Sequence, residues 1–280
     1  MSGLASVLND SIGAGWIGNF LTEALILTGG AALGYAGTLW RRAVRMRTLR
    51  RAFGRNVTSP DKFFISVPLW SCKPGDRAVP RFARRSPAGE RQELYGPDNT
   101  FAMEDILGGM LISDLLARYF KKPLKVLPDD QKLNWDGRTG ILIGAQTANF
   151  HVASVVKVFG STYPDDLLID IEVHEENEDT KGKITFVDKT DGTVFRSDYQ
   201  CEYALIQRLS NRFSEDHTGY IFILAGVHAS GTYAACQYLR NRWKRFARRP
   251  GPAAVLLKME YGHPETALAV REYWPQGQKA

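Results

Sequence analysis

The chain is poor in cysteine. Cys72, Cys201 and Cys236 are its three cysteines in 280 residues, and no two of them form a C-x-x-C pair. An odd count at this wide spacing argues against a disulfide framework and against a structural zinc site. Each cysteine is therefore interpreted as a small buried side chain, and the chain after residue 40 as a protein of a reducing compartment.

Motifs of several enzyme classes are missing as well. The chain has no H-E-x-x-H motif of a zinc hydrolase and no G-x-S-x-G nucleophile elbow. Its composition, with 44% apolar, 24% charged and 11% aromatic residues, excludes a disordered chain, a collagen-like repeat and a multi-span transporter. These values are typical of a globular α/β protein.

Excess positive charge is confined to the N-terminal part of the chain. Residues 1–60 contain seven arginines against Asp10 and Glu23, a net charge of +5, whereas the whole chain carries +6. Residues 61–280 therefore carry only +1, which disfavours a domain that binds nucleic acid over its whole surface. We expect no specific nucleic-acid partner.

A nearly uncharged stretch, residues 16–40, predicts a transmembrane anchor. Glu23 is its one charged residue, and as a helix its 25 residues span about 37 Å, enough for a hydrocarbon core of ~30 Å. Trp16 and Trp40 stand where interfacial aromatic residues are expected. The alternative interpretation is an amphipathic or buried helix of the globular domain.

The arginines that follow this stretch determine its expected orientation. Residues 1–15 contain no lysine or arginine, whereas residues 41–51 contain six arginines. By the positive-inside rule, the short N-terminus lies outside and the C-terminal body in the cytoplasm, as in a single-pass protein of the cell inner membrane. Residues 41–60 are then a basic juxtamembrane linker attracted to anionic lipid headgroups, with a nucleic-acid tether as the alternative.

Two glycines of the anchor predict self-association. Gly30 and Gly34 form a small-xxx-small pair, which lets two helices approach closely. The expected partners of this part of the chain are therefore the lipid bilayer and a second copy of the chain.

Residues 61–280 predict a cytosolic α/β domain with a mainly parallel sheet. Short apolar runs bounded by glycine or proline are typical of buried strands, and helical segments alternate with them. Strands are predicted at 62–68, 124–127, 140–144, 203–208, 219–226 and 254–261, and helices at 101–120, within 145–159 and for about fifteen residues after Thr232. Residues 71–99 are predicted to be a long loop, and the residues after Gly262 a short tail.

Residues 165–200 predict an antiparallel hairpin insertion in this domain. Asp191-Gly192 separates two strand candidates at 183–187 and 193–196, and Asp-Gly is a hairpin-turn signal. Residues 161–200 carry eleven acidic and four basic residues. The acids beside His174 could bind a divalent cation, but alternating acids at a strand end are typical of a solvated edge, so no metal is expected.

Two strand-to-helix junctions, Gly144–Asn149 and Gly226–Thr232, predict a ligand site. Ligands of open α/β sheets collect at the carboxyl ends of strands, where glycines allow close approach and helix N-termini favour anions. The predicted ligand-binding residues are Gly144, Gln146, Thr147, Asn149, Gly226, His228, Ser230, Gly231 and Thr232. Neither junction is a G-x-G-x-x-G or P-loop motif, so the cofactor is unknown, and ordinary capped turns are the alternative.

His228 is the weak catalytic candidate of the second junction. An imidazole in a glycine loop can act as a general base or contact a phosphate. The alternative is an ordinary polar loop residue.

The two junctions also carry a resemblance. The patterns strand–G(G/A)xxxN–helix, YxLI in a strand and strand–AGxHxxGT–helix occur at Gly144–Asn149, Tyr203–Ile206 and Ala225–Thr232. They resemble a Rossmann-like domain of poorly characterised prokaryotic membrane-anchored proteins, several of which begin with one membrane segment followed by basic residues. Related chains have Gly-Gly-Pro where this chain has Gly144-Ala145-Gln146. The resemblance implies a Rossmann-like fold and no particular activity.

Three functions fit these patterns. The favoured hypothesis is a membrane-anchored cytosolic sensor or effector that binds a nucleotide-like anionic ligand. The second is an enzyme acting on a nucleotide or nucleoside, with His228 or an acid of residues 98–105 as acid or base. The third is a membrane-tethered protein-interaction module without a small ligand.

Overall fold

The computed structural model describes residues 28, 30–68, 103–122, 124–174, 183–198 and 200–274, and the backbone of residues 81–85 and 91–95. The chain divides into two compact units, Met1–Arg47 and Thr48–Ala280.

Residues 30–53 form the first helix, α1. Residues 30–45 are exposed on every side, and residues 30–40 contain no charge. Of the helices in the described residues, none has the length and apolar character needed to cross a membrane. Residues 16–27 and residue 29 of the predicted anchor lie outside the described residues. The anchor therefore stays a prediction.

The last turn of α1 belongs to the core of the second unit. Leu49, Ala52 and Phe53 are fully buried. The Phe53 ring lies 5.1 Å from the Phe222 ring and 6.2 Å from the Trp243 ring, measured between centroids. The second unit thus begins with a helical turn packed on its own sheet and helices.

Seven strands form the main sheet. They are β1 Phe63–Val67, β4 Val126–Pro128, β5 Thr139–Ile143, β9 Cys201–Ser210, β10 Tyr220–Gly226, β11 Ala253–Glu260 and β12 Leu268–Tyr273, in the order β12-β11-β9-β10-β5-β1-β4. β4, β1, β5 and β10 pair in parallel, and β9 is antiparallel to both β10 and β11. Because β11 is reversed relative to β9, it runs with the four parallel strands. The predicted α/β fold with a mainly parallel sheet is confirmed, and the antiparallel strands β9 and β12 make the sheet a mixed one.

Three further helices cover the sheet: α2 Met103–Phe120, α3 Phe150–Thr162 and α4 Ala229–Arg248. Alternate strand residues face opposite layers. Ile65 and Ile143 lie beside Gly109 of α2, whereas Phe64 and Leu142 belong to the core that includes Val152 of α3. Because both faces are covered, the central strands are apolar throughout, which explains the continuous runs in the sequence.

A small antiparallel sheet confirms the predicted insertion. β6 Ile169–His174, β7 Lys183–Asp188 and β8 Val194–Arg196 pair in that order. Gly192 has a φ of +72°, which glycine adopts without strain, and its N–H donates to the Asp188 carbonyl oxygen at 2.8 Å. The Asp-Gly signal therefore located the hairpin correctly.

Three element predictions need correction. The residues after Gly262 are not a tail, because β12 pairs with β11 at the edge of the sheet. The segment 71–99 is not all loop, since β2 Arg81–Arg85 and β3 Arg91–Tyr95 pair antiparallel within it; its other residues lie outside the described part of the chain. Finally, α4 starts at Ala229, inside the second junction, rather than after Thr232.

Candidate functional site

The two predicted junctions lie side by side at the carboxyl edge of the parallel strands. β5 and β10 are parallel neighbours, so the segments that follow them leave the sheet together. The Gly144 N–H donates to the Leu224 carbonyl oxygen at 2.9 Å, which joins the two strand ends directly. The two segments that the sequence singled out are therefore neighbours in the fold, although Gly144 and Gly226 are 82 positions apart in the chain.

The buried side chain of Asn149 caps α3 at the first junction. Its side chain is fully buried, and its Oδ1 accepts from the N–H groups of His151 at 2.9 Å and Val152 at 3.2 Å, which caps α3. Its Nδ2 donates to the Ile143 carbonyl oxygen at 2.8 Å and reaches that of Ser66 at 3.4 Å. Asn149 thus ties the ends of β1 and β5 to α3, as an N-cap residue does.

Asp129, just after β4, completes the cap of α3. The Phe150 N–H donates to Asp129 Oδ2 at 2.8 Å, and the Asp129 carboxylate is fully buried. The N–H groups of residues 150, 151 and 152 therefore all have acceptors within the chain. An anion at this helix N-terminus would have to displace a side chain that is already bound.

The remaining residues of the first junction differ in accessibility. Gly144 has a φ of +99°, and a Cβ there would lie 2.9 Å from Pro68 Cγ, so the position requires glycine. Gln146 and Thr147 are half-buried, and Gln146 Nε2 donates to the Ile171 carbonyl oxygen at 2.6 Å. Gln146 and Thr147 are the predicted ligand residues of this junction that solvent reaches.

The second junction already holds an anion, the carboxylate of Glu202 from β9. Glu202 Oε1 accepts from the N–H groups of His228 at 2.9 Å and Gly231 at 3.0 Å, and Oε2 accepts from the Ser230 hydroxyl at 2.7 Å. The Glu202 side chain is fully buried. The α4 N-terminus therefore has the anion-binding chemistry expected from the sequence, but its occupant is a side chain of the same chain.

Close packing explains the glycines around this carboxylate. A Cβ on Gly231 would lie 2.4 Å from Glu202 Oε1, and a Cβ on Gly226 would lie 2.3 Å from the Thr232 nitrogen. Thr232 is buried, and its Oγ1 accepts from the Gly226 N–H at 3.0 Å. Gly226, Gly231 and Thr232 thus hold the turn closed around Glu202.

His228 is the exposed member of the second junction. Its side chain is 47% exposed, and its Nδ1 lies 3.5 Å from Glu202 Oε1. Its ring meets the Tyr261 ring edge to face, with 5.1 Å between centroids. A buried carboxylate that orients an accessible imidazole is an arrangement used by general bases.

Hydrogen bonding keeps Glu202 ionised in this buried place. Burial alone raises the pKa of its carboxyl group, but hydrogen bonds from His228, the Ser230 hydroxyl and the His228 backbone outweigh it and lower the pKa below its usual 4.5. Glu202 is therefore a carboxylate at neutral pH.

Sequence reasoning missed Glu202 and Asp129. The available signal for Glu202 is strand alternation, which puts it on one face of β9 with Ala204 and Ile206. A single acid in line with apolar core positions indicates a buried, paired carboxylate. Asp129 follows a strand of only three residues and has no comparable signal.

The predicted cation-binding acids cannot be placed as a group. Residues 175–182 lie outside the described residues. Within the described part of the chain, no three His, Cys, Asp or Glu residues are grouped so as to hold a metal ion.

Comparison of the chain with protein-family models, with curated proteins and with solved structures finds no match. The resemblance to prokaryotic membrane-anchored proteins therefore stays a prediction.

Proposed function

We propose that the chain is a single-pass inner-membrane sensor or effector whose α/β domain binds a nucleotide-like anionic ligand at the carboxyl edge of the main sheet. Ligand binding would change how the N-terminal anchors associate in the membrane.

One observation carries the ligand part of this proposal: the strand order reverses at β1. β4 and β5 both follow β1 in the chain, yet they pair with opposite sides of it. α2 and α3 accordingly cover opposite faces of the sheet, and a switch point of this kind is where open α/β sheets bind their ligands.

The filled helix N-termini refine the expected binding mode. The first amides of α3 are bound to Asn149 and Asp129, and those of the α4 turn to Glu202. A ligand would instead meet the accessible side chains of the two junctions, which are Gln146, Thr147, His228 and Ser230.

The anchor part is supported by the character of α1. Its residues 30–40 are uncharged and exposed on every side, and six arginines follow at 41–51. A helix without a polar face is expected to be covered by lipid or protein. The arginines favour a cytoplasmic body.

For the anchor, we expect a tag at residue 2 to be labelled by an impermeant reagent outside intact cells and a tag at residue 280 to be protected. The chain should also resist extraction by carbonate. Labelling of the C-terminal tag alone, or release of the chain by carbonate, would contradict the proposed anchor.

For the ligand, we expect a nucleotide to raise the Tm of the full chain in detergent. At a concentration 100-fold above Kd the stabilisation is about 2.7 kcal/mol. Gln146→Glu puts a negative charge beside the proposed site, so it should weaken nucleotide binding and shrink the Tm increase. Gln237→Glu is the matched control, because Gln237 is also half-buried but lies in the middle of α4. A full nucleotide panel without any Tm increase would exclude this ligand class.

The enzyme alternative rests on the Glu202–His228 pair. Glu202 faces His228 Nδ1, and the half-exposed ring can exchange a proton with a bound substrate. Product formation in the nucleotide assay, abolished by His228→Ala, would identify an enzyme. Binding without turnover supports the sensor.

A further inference from the structure

The helices α1, α2 and α4 all end at the opposite edge of the sheet, the amino edge of the parallel strands. Exposed basic side chains are common in the last two turns of these helices and directly after them, and six of them are Arg50, Arg51, Lys121, Lys122, Lys244 and Arg248. We call this set the basic helix-end surface.

Contacts within the second unit bring the ends of α1 and α4 together. Arg208 Nη1 donates to the carbonyl oxygens of both Ala52 in α1, at 3.1 Å, and Phe246 in α4, at 2.8 Å. One nitrogen atom thus joins the last turns of the two helices. The basic residues of these turns therefore belong to one surface.

Aromatic contacts add the end of α2. The Tyr119 ring lies 5.5 Å from the Trp243 ring of α4, and the Phe120 ring lies 5.7 Å from the Phe63 ring, which in turn lies 5.9 Å from the Phe53 ring of α1. The three helix ends therefore surround one aromatic cluster, with Lys121 and Lys122 directly after α2.

The basic helix-end surface carries more positive charge than is required to neutralise the partial negative charges of the three helix C-termini. Three helix C-termini carry roughly −0.5 charge each, against six cations. Acidic residues are scarce in the helices themselves: α4 contains none, residues 24–60 contain none, and Asp114 is the one acid in the last two turns of α2. The loop after β9 carries the exposed acids Glu215 and Asp216 at the same edge, beside Arg55, whose N–H donates to the Thr218 carbonyl oxygen at 3.0 Å. Asp114 already pairs with Arg118 and Arg240.

We propose that the basic helix-end surface binds the headgroups of anionic phospholipids, so that the amino edge of the parallel strands faces the bilayer and the carboxyl edge faces away from it. This inference rests on the proposed anchor. Arg50 follows Trp40 by ten residues in the sequence, so the length of chain between them allows the surface to reach the headgroup layer. Clustered lysines and arginines beside a membrane segment are typical of binding to anionic lipid.

The choice of lipid over nucleic acid follows from this position. The surface continues a run of arginines that begins directly after an uncharged helical segment, whereas residues 61–280 carry a net charge of only +1 with four of the six cations included. Nucleic acid is the competing occupant that the experiment must distinguish.

The test is lysine acetylation by an impermeant reagent, read residue by residue by mass spectrometry. The full chain is reconstituted in vesicles of phosphatidylcholine or of an equimolar mixture with phosphatidylglycerol. In the mixed vesicles we expect Lys121, Lys122 and Lys244 to react at least about threefold more slowly, an effect removed by high salt. The exposed internal controls Lys132, Lys157 and Lys258 should react equally in both.

A pair of variants tests whether the surface acts as a unit. With Lys121→Glu and Lys244→Glu together, the reactivity of Lys122 should no longer depend on phosphatidylglycerol. The matched control, Lys132→Glu with Lys157→Glu, should keep that dependence, since both lysines lie outside the surface.

The two measurements, carbonate extraction and lysine reactivity, distinguish a wrong lipid assignment from a wrong anchor. Carbonate-resistant chain with equal lysine reactivity in both vesicles would overturn the lipid surface and leave the anchor standing. Chain that carbonate releases would overturn the anchor on which the inference rests. Protection by added RNA, but not by phosphatidylglycerol, would overturn the lipid assignment in favour of nucleic acid.

Discussion

Arg208→Met is expected to lower the free energy of unfolding by about 3–5 kcal/mol, the largest single loss that we predict. Arg208 is fully buried, and besides Ala52 and Phe246 its guanidinium donates to the carbonyl oxygens of Arg249 and Gly251. Methionine fills much of the same space but leaves these acceptors without a donor. Burial lowers the pKa of Arg208 to about 10, so the side chain remains charged at neutral pH.

The measurement is guanidinium unfolding at neutral pH, with Arg212→Met as the matched control. Arg212 lies four residues away on the surface, where its Nε is 2.8 Å from Asp166 Oδ2. An exposed ion pair of this kind contributes about 0–1 kcal/mol. Arg208→Lys should recover little, because one ammonium group cannot reach the ends of two helices. Equal losses in Arg208→Met and Arg212→Met would contradict the role given to Arg208.

The central strands could be predicted because their signal is local. The residues of β5 and β10 are apolar on both faces and are bounded by glycine, since helices or the small sheet cover each side. β12 gave no such signal. Leu268 and Val270 of β12 are exposed at the edge of the sheet. The sequence of β12 therefore mixes apolar and charged residues, and this pattern does not distinguish an edge strand from a C-terminal tail.

The sequence predicted where the two junctions lie in the fold, but not which side chains occupy them. Strand-to-helix junctions are visible in the sequence, and parallel pairing brought the two of them together. What fills them is set by contacts that no local pattern contains. Glu202 reaches Gly231 from 29 positions away, and Asp129 reaches Phe150 from 21. Glycines that suggested room for a ligand are instead required by the close approach of the chain to itself.

The same limit applies to Arg208. An arginine near the end of an amphipathic strand is normally expected at the surface, with its charge in water. Here β9 ends beneath α1 and α4. The carbonyl groups in the last turns of these two helices have no partner within their own helix and require other hydrogen-bond donors. The nearest of these partners along the chain is 38 residues away. Burial of Arg208 thus follows from the tertiary arrangement of helix ends.

Glu202→Ala is the second substitution for which we expect a large effect, a loss of about 2–4 kcal/mol at neutral pH. It removes the acceptor of two buried N–H groups and of the Ser230 hydroxyl. Glu260→Ala is the control on the neighbouring strand β11, where the side chain is exposed, and it should change stability by less than about 0.5 kcal/mol. Similar losses in the two variants would show that the α4 turn does not depend on the carboxylate.

Glu202→Gln separates the charge of this group from its shape. Glutamine keeps one oxygen for the backbone donors, and its amide can donate to the Ser230 hydroxyl, so at neutral pH we expect a smaller loss of about 1–2 kcal/mol. Because the folded state lowers the pKa of Glu202 below 4.5, the stabilisation by the carboxylate is complete above that pH and is lost as the pH falls through the lowered pKa. The difference in unfolding free energy between the parent and Glu202→Gln should therefore shrink below pH 4.5, as measured by urea unfolding at several pH values. A difference that stays constant to low pH would mean that Glu202 is held as a neutral acid, and the α4 N-terminus would then not be occupied by an anion.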